Sequence, residues 1–207
     1  MKQIKKRNEP NSLTEHRKKK NADYDNYPDK DELRESLYNE QRGICCYCMG
    51  VISPAVGKMK IEHYQCQANY PKKQLDYKNL LGACLGGEGI KETHCDTFKG
   101  NKDFNFYPPN PKVAIEQMII YGNDGSVSST NEKLQLEIDT ILNLNADILK
   151  RNRKAALDGF KESLSKFKSA LNKGTIKKWI GNWSGKNHNG NLQPYCMVIV
   201  YWLQKKL

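Results

Sequence analysis

The chain alternates between stretches with a clear apolar rhythm and stretches with none. Residues 31–43, DELRESLYNEQRG, place Leu33, Leu37 and Tyr38 on one helical face, and Gly43 can end the helix. Ile61–Tyr64 reads as a short strand, and Tyr77–Cys84 leads into the glycine-rich loop LGGEG and then THCDTFKG. The segment YPPNP marks an exit from a compact unit. After it, VAIEQMIIY and SVSST flank GNDG, a hairpin turn signal. From about Glu132 the pattern is helical, LNLN interrupts it, and Asn145 is placed to cap a long amphipathic helix running to Ala170. Its apolar positions are Ile148, Leu149, Leu157, Phe160, Leu164 and Phe167. The pattern divides the chain into 1–30, 31–110 and 111–207. The first segment is basic, poor in apolar residues and centred on Lys18-Lys19-Lys20, so it is expected to be an extended arm without a core of its own.

Charge narrows the choice of partner. Thirty-four Lys and Arg against 23 Asp and Glu give a net charge of +11 in 207 residues. Such an excess suits a polyanion, because each neutralised phosphate releases counterions. The first residues, MKQIKKRNEP, carry no apolar stretch behind their basic ones, which argues against a secretory signal. The longest apolar run, Cys196–Leu203, falls far short of the roughly 20 residues a membrane span needs. A cytoplasmic protein with no membrane partner is expected. Disulfides are then disfavoured, and the seven cysteines need another explanation.

Four of them have one. Cys45 and Cys48 form a C-x2-C pair, and Cys84 and Cys95 form a second pair with ten residues between. Two thiolate pairs make a closed tetrahedral zinc site of the structural kind. His94, beside Cys95, is an alternative ligand; Cys95 is preferred because Asp96 is then aimed away from zinc. The bland alternative is a set of unrelated buried thiols. Cys46, Cys66 and Cys196 have no matching partner and read as packing residues.

Glu62-His63 lies between the two pairs, Asn79 follows in YKNLL, and Asp96 and Lys99 follow in CDTFKG. The order C-x2-C, EH, N-L, C-D-x-x-K-G resembles zinc-containing HNH endonucleases over about Cys45 to Gly100. It departs from the common pattern in the wide second cysteine pair and in Asp96, where His or Asn is usual. The resemblance implies an α+β fold: a zinc-stapled ββα-metal core, with an N-terminal helix and arm and a C-terminal β-hairpin plus helical lobe. It implies His63 as general base, Glu62 and Asp96 as ligands of a catalytic Mg²⁺ or Mn²⁺, Asn79 holding the His63 loop, and Lys99 on phosphate, with the helix from about Asp96 turning its N–H groups to an anion. Across most of the chain NEPNSL, QRGICCYC, IEH, YKNLL, HCD-x-x-KG and LNLN-x-x-x-L-x-x-R resemble the PtuB nucleases of Septu and retron-associated anti-phage systems, which implies an ATPase partner of the PtuA type. The expected activity is hydrolysis of nucleic-acid phosphodiester bonds, DNA favoured. An RNA (tRNA) nuclease using the same site, a zinc-bound nucleic-acid binding module without catalysis and a purely structural zinc protein stay open.

Overall fold

The computed structural model describes residues 1–166, 172–185 and 190–207. It is α+β, with two small antiparallel sheets. In chain order the elements are α1 (Asn11–Arg17), α2 (Lys30–Gln41), β1 (Lys60–His63), β2 (Leu80–Ala83), α3 (Cys95–Lys99), α4 (Ile115–Met118), β3 (Ile119–Tyr121), β4 (Val127–Ser129), α5 (Glu132–Thr140), α6 (Asp147–Ser165), α7 (Lys173–Trp183) and α8 (Cys196–Gln204). Single 3₁₀ turns at Pro71–Lys73 and Tyr77–Asn79 fill the connection between β1 and β2.

Helix α2 buries Leu33 and Leu37, as its spacing predicts. It stops where Arg42 turns left-handed and the Arg42 and Gly43 N–H groups fold back onto Asn39 and Tyr38 carbonyls. Its last residue, Gln41, extends the first sheet. The Gln41 side chain accepts from Gly82 N–H at 2.6 Å and donates to the Gly82 and Ile44 carbonyls at 2.7 and 2.9 Å. An amide side chain thus serves the edge of β2 that β1 leaves open. β1 and β2 pair in the register Lys60↔Ala83, Ile61↔Gly82, Glu62↔Leu81 and His63↔Leu80. All four residues of β2 are buried. A side chain at Gly82 would meet Met59 Cε at 2.8 Å and Ile52 Cδ1 at 3.1 Å, so the two side chains close over a glycine and would have to shift for anything larger.

The first 30 residues differ from the expected free arm. They form α1, and Met1, Ile4, Leu13 and Tyr27 are buried in the common core. Lys6 Nζ pairs with the buried Glu40 at 2.7 Å and lies 3.8 Å from the centre of the Tyr77 ring. Arg7 N–H donates to the same Glu40 carboxylate at 2.5 Å, and Arg17 donates to Glu9 and to the Leu75 carbonyl. Widely spaced apolar residues set among charges make no period, yet each one fills a site in the core.

Beyond Pro108 the hairpin β3–β4 forms over the GNDG turn, with Ile119↔Ser129 and Tyr121↔Val127 in register. Helix α8 is buried through Cys196, Met197, Val198, Ile199, Val200 and Leu203, which accounts for the longest apolar run as a core helix. No helix among the described residues is long and apolar enough to cross a membrane. Arg153 of α6 is buried, and donates to the Gly125 carbonyl in the hairpin turn at 2.6 Å and to the Leu144 carbonyl at 2.5 Å. Asn145 does not cap α6. Its Oδ1 accepts from Val127 N–H at 2.8 Å and its Nδ2 donates to the Val127 carbonyl at 2.9 Å, and α6 begins after Ala146 without a side-chain cap. The expected helix end at Ala170, and Phe167, lie outside the described residues. LNLN is a seam: Leu142 and Leu144 are buried, the Leu142 carbonyl accepts from Cys95 N–H at 2.8 Å, and Asn143 Nδ2 donates to the Thr93 carbonyl at 2.8 Å.

Candidate metal centre and adjoining cleft

The turn after α2 closes on itself. Ile44 bridges to Val51, Cys45 N–H donates to the Gly50 carbonyl at 2.8 Å, and Met49 takes a left-handed conformation. This turn presents Cys45 and Cys48 together, with Gly50 N–H donating to Cys48 Sγ at 3.3 Å. Cys84 leaves the end of β2 and Cys95 opens α3. The four sulfur atoms lie within 4.8 Å of one another, and Cys48 Sγ is 3.7 Å from Cys84 Sγ. A tetrahedral ion with Zn–S bonds of about 2.3 Å sets its sulfurs about 3.8 Å apart, so the spacing fits a metal ion such as zinc. It is the one such cluster of three or more Cys, His, Asp or Glu side chains among the described residues.

The electrostatics fit as well. Burial works against ionising Cys45, yet hydrogen bonds from Cys46, Cys48, Cys84 and Cys95 outweigh it and hold this thiol well below its ordinary value. Donation to Cys45 and Cys48 pushes the Cys84 thiol up, and burial pushes Cys95 up. Protein groups alone therefore do not support four thiolates in one place; a divalent cation does. His94 lies beside the cluster, its Nδ1 3.2 Å from Cys95 Sγ and 4.0 Å from Cys84 Sγ. It is hydrogen-bonded to a member of the sulfur set and stands outside that set. Cys46, Cys66 and Cys196 are buried and lie outside it too.

An open cleft of about 490 Å³ lies beside β1 and α3, lined by Lys60, Glu62, His63, Asp96, Thr97 and Asn101 among others. His63 ends β1. Its Nε2 is 3.0 Å from the Gln74 carbonyl, so Nε2 carries the proton and Nδ1 is an acceptor with no hydrogen-bond partner among the described residues. The ring stands edge-on to Tyr24, centroids 4.5 Å apart. Burial holds the imidazole below its ordinary value against the opposing Gln74 hydrogen bond, so the ring is neutral at pH 7. Asn79 staples the loop after His63: its Oδ1 accepts from Gln65 N–H at 2.8 Å, and its Nδ2 donates to the Gln65 and Lys73 carbonyls at 3.0 and 3.1 Å.

No protein-family model matches the chain, and no curated protein does. What the residues can do therefore rests on their geometry. Glu62 is buried, and its Oε1 accepts from Tyr47 OH at 2.7 Å and pairs with Lys99 Nζ at 2.9 Å. Burial first, and then contact with Asp96, pushes the Glu62 carboxyl well above its ordinary range, with Lys99 opposing. Two carboxylates at one cleft repel unless a proton or a cation lies between them, and hard carboxylate oxygens suit Mg²⁺ or Mn²⁺. Such a pair would offer an ion of this kind two protein oxygens.

Lys99 differs from expectation. Its side chain has no exposed surface and is spent on Glu62 and, at 3.4 Å, on the His63 carbonyl, so it does not meet a phosphate in the cleft. Helix α3 is five residues long, a single turn with little dipole to offer an anion. Four contributors escape the sequence pattern. Tyr47, Gln74 and Tyr24 act through contacts between segments remote in the chain, which carry no local signal. Lys60 did have one: strand alternation puts it on the same face as Glu62, two residues on.

Proposed function

We propose that this chain is an HNH-type (ββα-metal) endonuclease that hydrolyses nucleic-acid phosphodiester bonds, DNA favoured, with zinc on the four cysteines and one Mg²⁺ or Mn²⁺ at Glu62 and Asp96. The observation that carries the reading is the unit β1–β2–α3. It gathers Glu62, His63 and Asp96 at one open cleft, with His63 Nε2 engaged by the Gln74 carbonyl and Nδ1 left as the acceptor.

Neutral His63 takes a proton at Nδ1 from the attacking water. The water oxygen bonds to phosphorus and the bond to the 3′ oxygen breaks. The Gln74 carbonyl fixes the productive tautomer, and the Asn79 hydrogen bonds hold the loop that follows the base. Tyr47 and Lys99 both engage Glu62 Oε1, which leaves the second carboxylate oxygen to the ion. A bound divalent ion would stabilise negative charge on the scissile phosphate and the leaving oxygen. Zinc on the cysteines would contribute folding energy and take no part in the reaction. By its resemblance to the Septu and retron-associated nucleases, the protein acts in phage defence with an ATPase partner of the PtuA type.

One observation favours a second reading, a zinc-bound nucleic-acid binding module without catalysis: Glu62 already has a buried lysine and a tyrosine hydroxyl as partners. Cleavage decides between the two. Plasmid DNA and total tRNA are incubated with Mg²⁺ and wild type or His63→Ala, with and without the ATPase. Wild type is expected to cut one substrate, and His63→Ala to lose roughly 10²- to 10⁴-fold of that rate with its far-UV CD and nucleic-acid binding unchanged. The substrate consumed names the target. Undiminished cutting by His63→Ala would remove this residue from the mechanism, and no cutting of either substrate with the partner present would favour the binding module.

A further inference from the structure

A cleft that takes nucleic acid needs a cation that phosphate can reach, and Lys99 is closed off. Lys60, at the start of β1, lines the same cleft. Its side chain is 28% exposed, and Nζ donates to Thr97 Oγ1 at 2.9 Å. Two carboxylates face this one ammonium: Glu88 Oε2 at 3.6 Å and Asp96 Oδ2 at 3.8 Å. Thr97 is itself fixed, since its hydroxyl donates to the Leu85 carbonyl at 2.8 Å.

Glu88 comes from the long loop between Cys84 and Cys95. Both ends of this loop are anchored, by the two cysteines and by the His94 N–H bond to the Gly86 carbonyl at 2.9 Å. Its tip is held by short local turns, with Glu88 N–H on the Leu85 carbonyl and Ile90 N–H on the Gly87 carbonyl. The Glu88 side chain is 62% exposed. An exposed, poorly closed pair of this kind is weak and exchanges readily. A phosphate oxygen that displaces Glu88 replaces one negative charge on Lys60 by another, so the exchange leaves the local charge balance unchanged. A lysine ammonium binds phosphate as a point charge and needs no fixed fork geometry.

Resting on the nuclease reading, we infer that Lys60 and Thr97 form a backbone-phosphate position at the rim of the cleft, and that Glu88 on the metal-centre loop occupies it in the free protein. The long spacing between Cys84 and Cys95 then has a use: it carries a carboxylate that competes with substrate.

The test measures binding in a His63→Ala background, so that substrate stays intact, using end-labelled duplex DNA and RNA followed by anisotropy over a salt series. Lys60→Gln is expected to weaken binding about tenfold at low salt and to lower the slope of log K against log salt by about 0.9, the loss of one phosphate contact on B-DNA. Lys60→Arg should restore both. Glu88→Gln should tighten binding roughly threefold, and this gain should vanish when Lys60→Gln is also present. Zinc content and CD check that each variant is folded. An unchanged salt slope in Lys60→Gln, a Glu88→Gln gain that persists without Lys60, or no nucleic-acid binding in the background protein overturns the inference. Failure of the nuclease reading looks different: these binding effects appear as expected, yet protein with His63 intact does not cut.

Discussion

Single residues in this protein often do the work of an element. Gln41 is the clearest case, a helix terminus whose side chain completes the outer edge of β2 through two buried hydrogen bonds to Gly82 and ties it to Ile44 through a third, at 2.6–2.9 Å. Replacing it with leucine keeps bulk and apolar contact but leaves Gly82 N–H without its acceptor. An orphaned buried donor and two lost carbonyl contacts together cost about 3 kcal/mol. Gln41→Leu should lower the unfolding free energy from urea titration by that much, read as a lower midpoint with an unchanged slope. A shift under about 1 kcal/mol would mean that water replaces the side chain. Lys99 teaches the same lesson at the cleft. A lysine three residues after a proposed metal ligand suggests a phosphate contact, yet here it neutralises Glu62 from beneath. Removing either partner of such a buried pair leaves an uncompensated charge, so Lys99→Met should destabilise by about 3–5 kcal/mol. The equivalent change at Lys60, a partly exposed residue, should scarcely move the melting temperature.

At the scale of elements, the loop between Cys84 and Cys95 depends on backbone freedom at particular glycines. Gly86 has φ +62°, and a Cβ there would lie 2.3 Å from the His94 carbonyl oxygen and 2.7 Å from Thr97 Oγ1. Gly89 also has positive φ, but a Cβ there would meet nothing within 4 Å. Gly86→Ala must therefore push aside the segment that carries His94 into Cys95, and should weaken zinc binding at least tenfold in competition with a chromophoric chelator. Gly89→Ala should cost only the left-handed strain, about 1 kcal/mol, and leave zinc affinity intact. Equal effects from the two would show that the loop does not shape the metal centre. The same elements show how far sequence reasoning reaches. Helix α2, strand β1 and the β3–β4 hairpin are legible because a repeating apolar rhythm or a turn dipeptide marks them. The four cysteines are legible because thiolate pairs in an expected reducing compartment have few other uses. The packing of residues 1–30 is not legible, because Ile4, Leu13 and Tyr27 are isolated among charges and their partners lie far along the chain. Asn145 is misread for a related reason: a side chain that suits a helix cap also suits the edge of a strand, and only the fold decides between them.

The whole molecule is tied to the cysteine cluster. One contiguous core takes residues from the N-terminal segment, the cysteine turn and the C-terminal helices alike. Tyr195 N–H donates to the Met49 carbonyl at 3.0 Å inside the cysteine turn, and Leu192 N–H donates to the Arg42 carbonyl at 2.9 Å. The Tyr195 hydroxyl accepts from Asn152 Nδ2 of α6 at 3.1 Å, and α8 begins at the next residue. On the other side Cys95 N–H rests on Leu142 in the seam before α6. The sulfur cluster is therefore bonded to the C-terminal lobe along two routes, while all three tryptophans of the chain, Trp179, Trp183 and Trp202, gather around Phe160 in that lobe. Their emission reports on packing remote in sequence from the metal ligands. If zinc on the four cysteines is part of folding, stripping it with a strong chelator should shift tryptophan emission and release metal with one shared rate. Cys48→Ser, which removes one of the four thiols, should give the same altered emission without chelator. Two separated rates, or native emission in Cys48→Ser, would mean that the lobe folds by its own apolar contacts and that the metal holds only the cleft. A shared rate would mean that a single metal site governs whether Glu62, His63 and Asp96 ever meet.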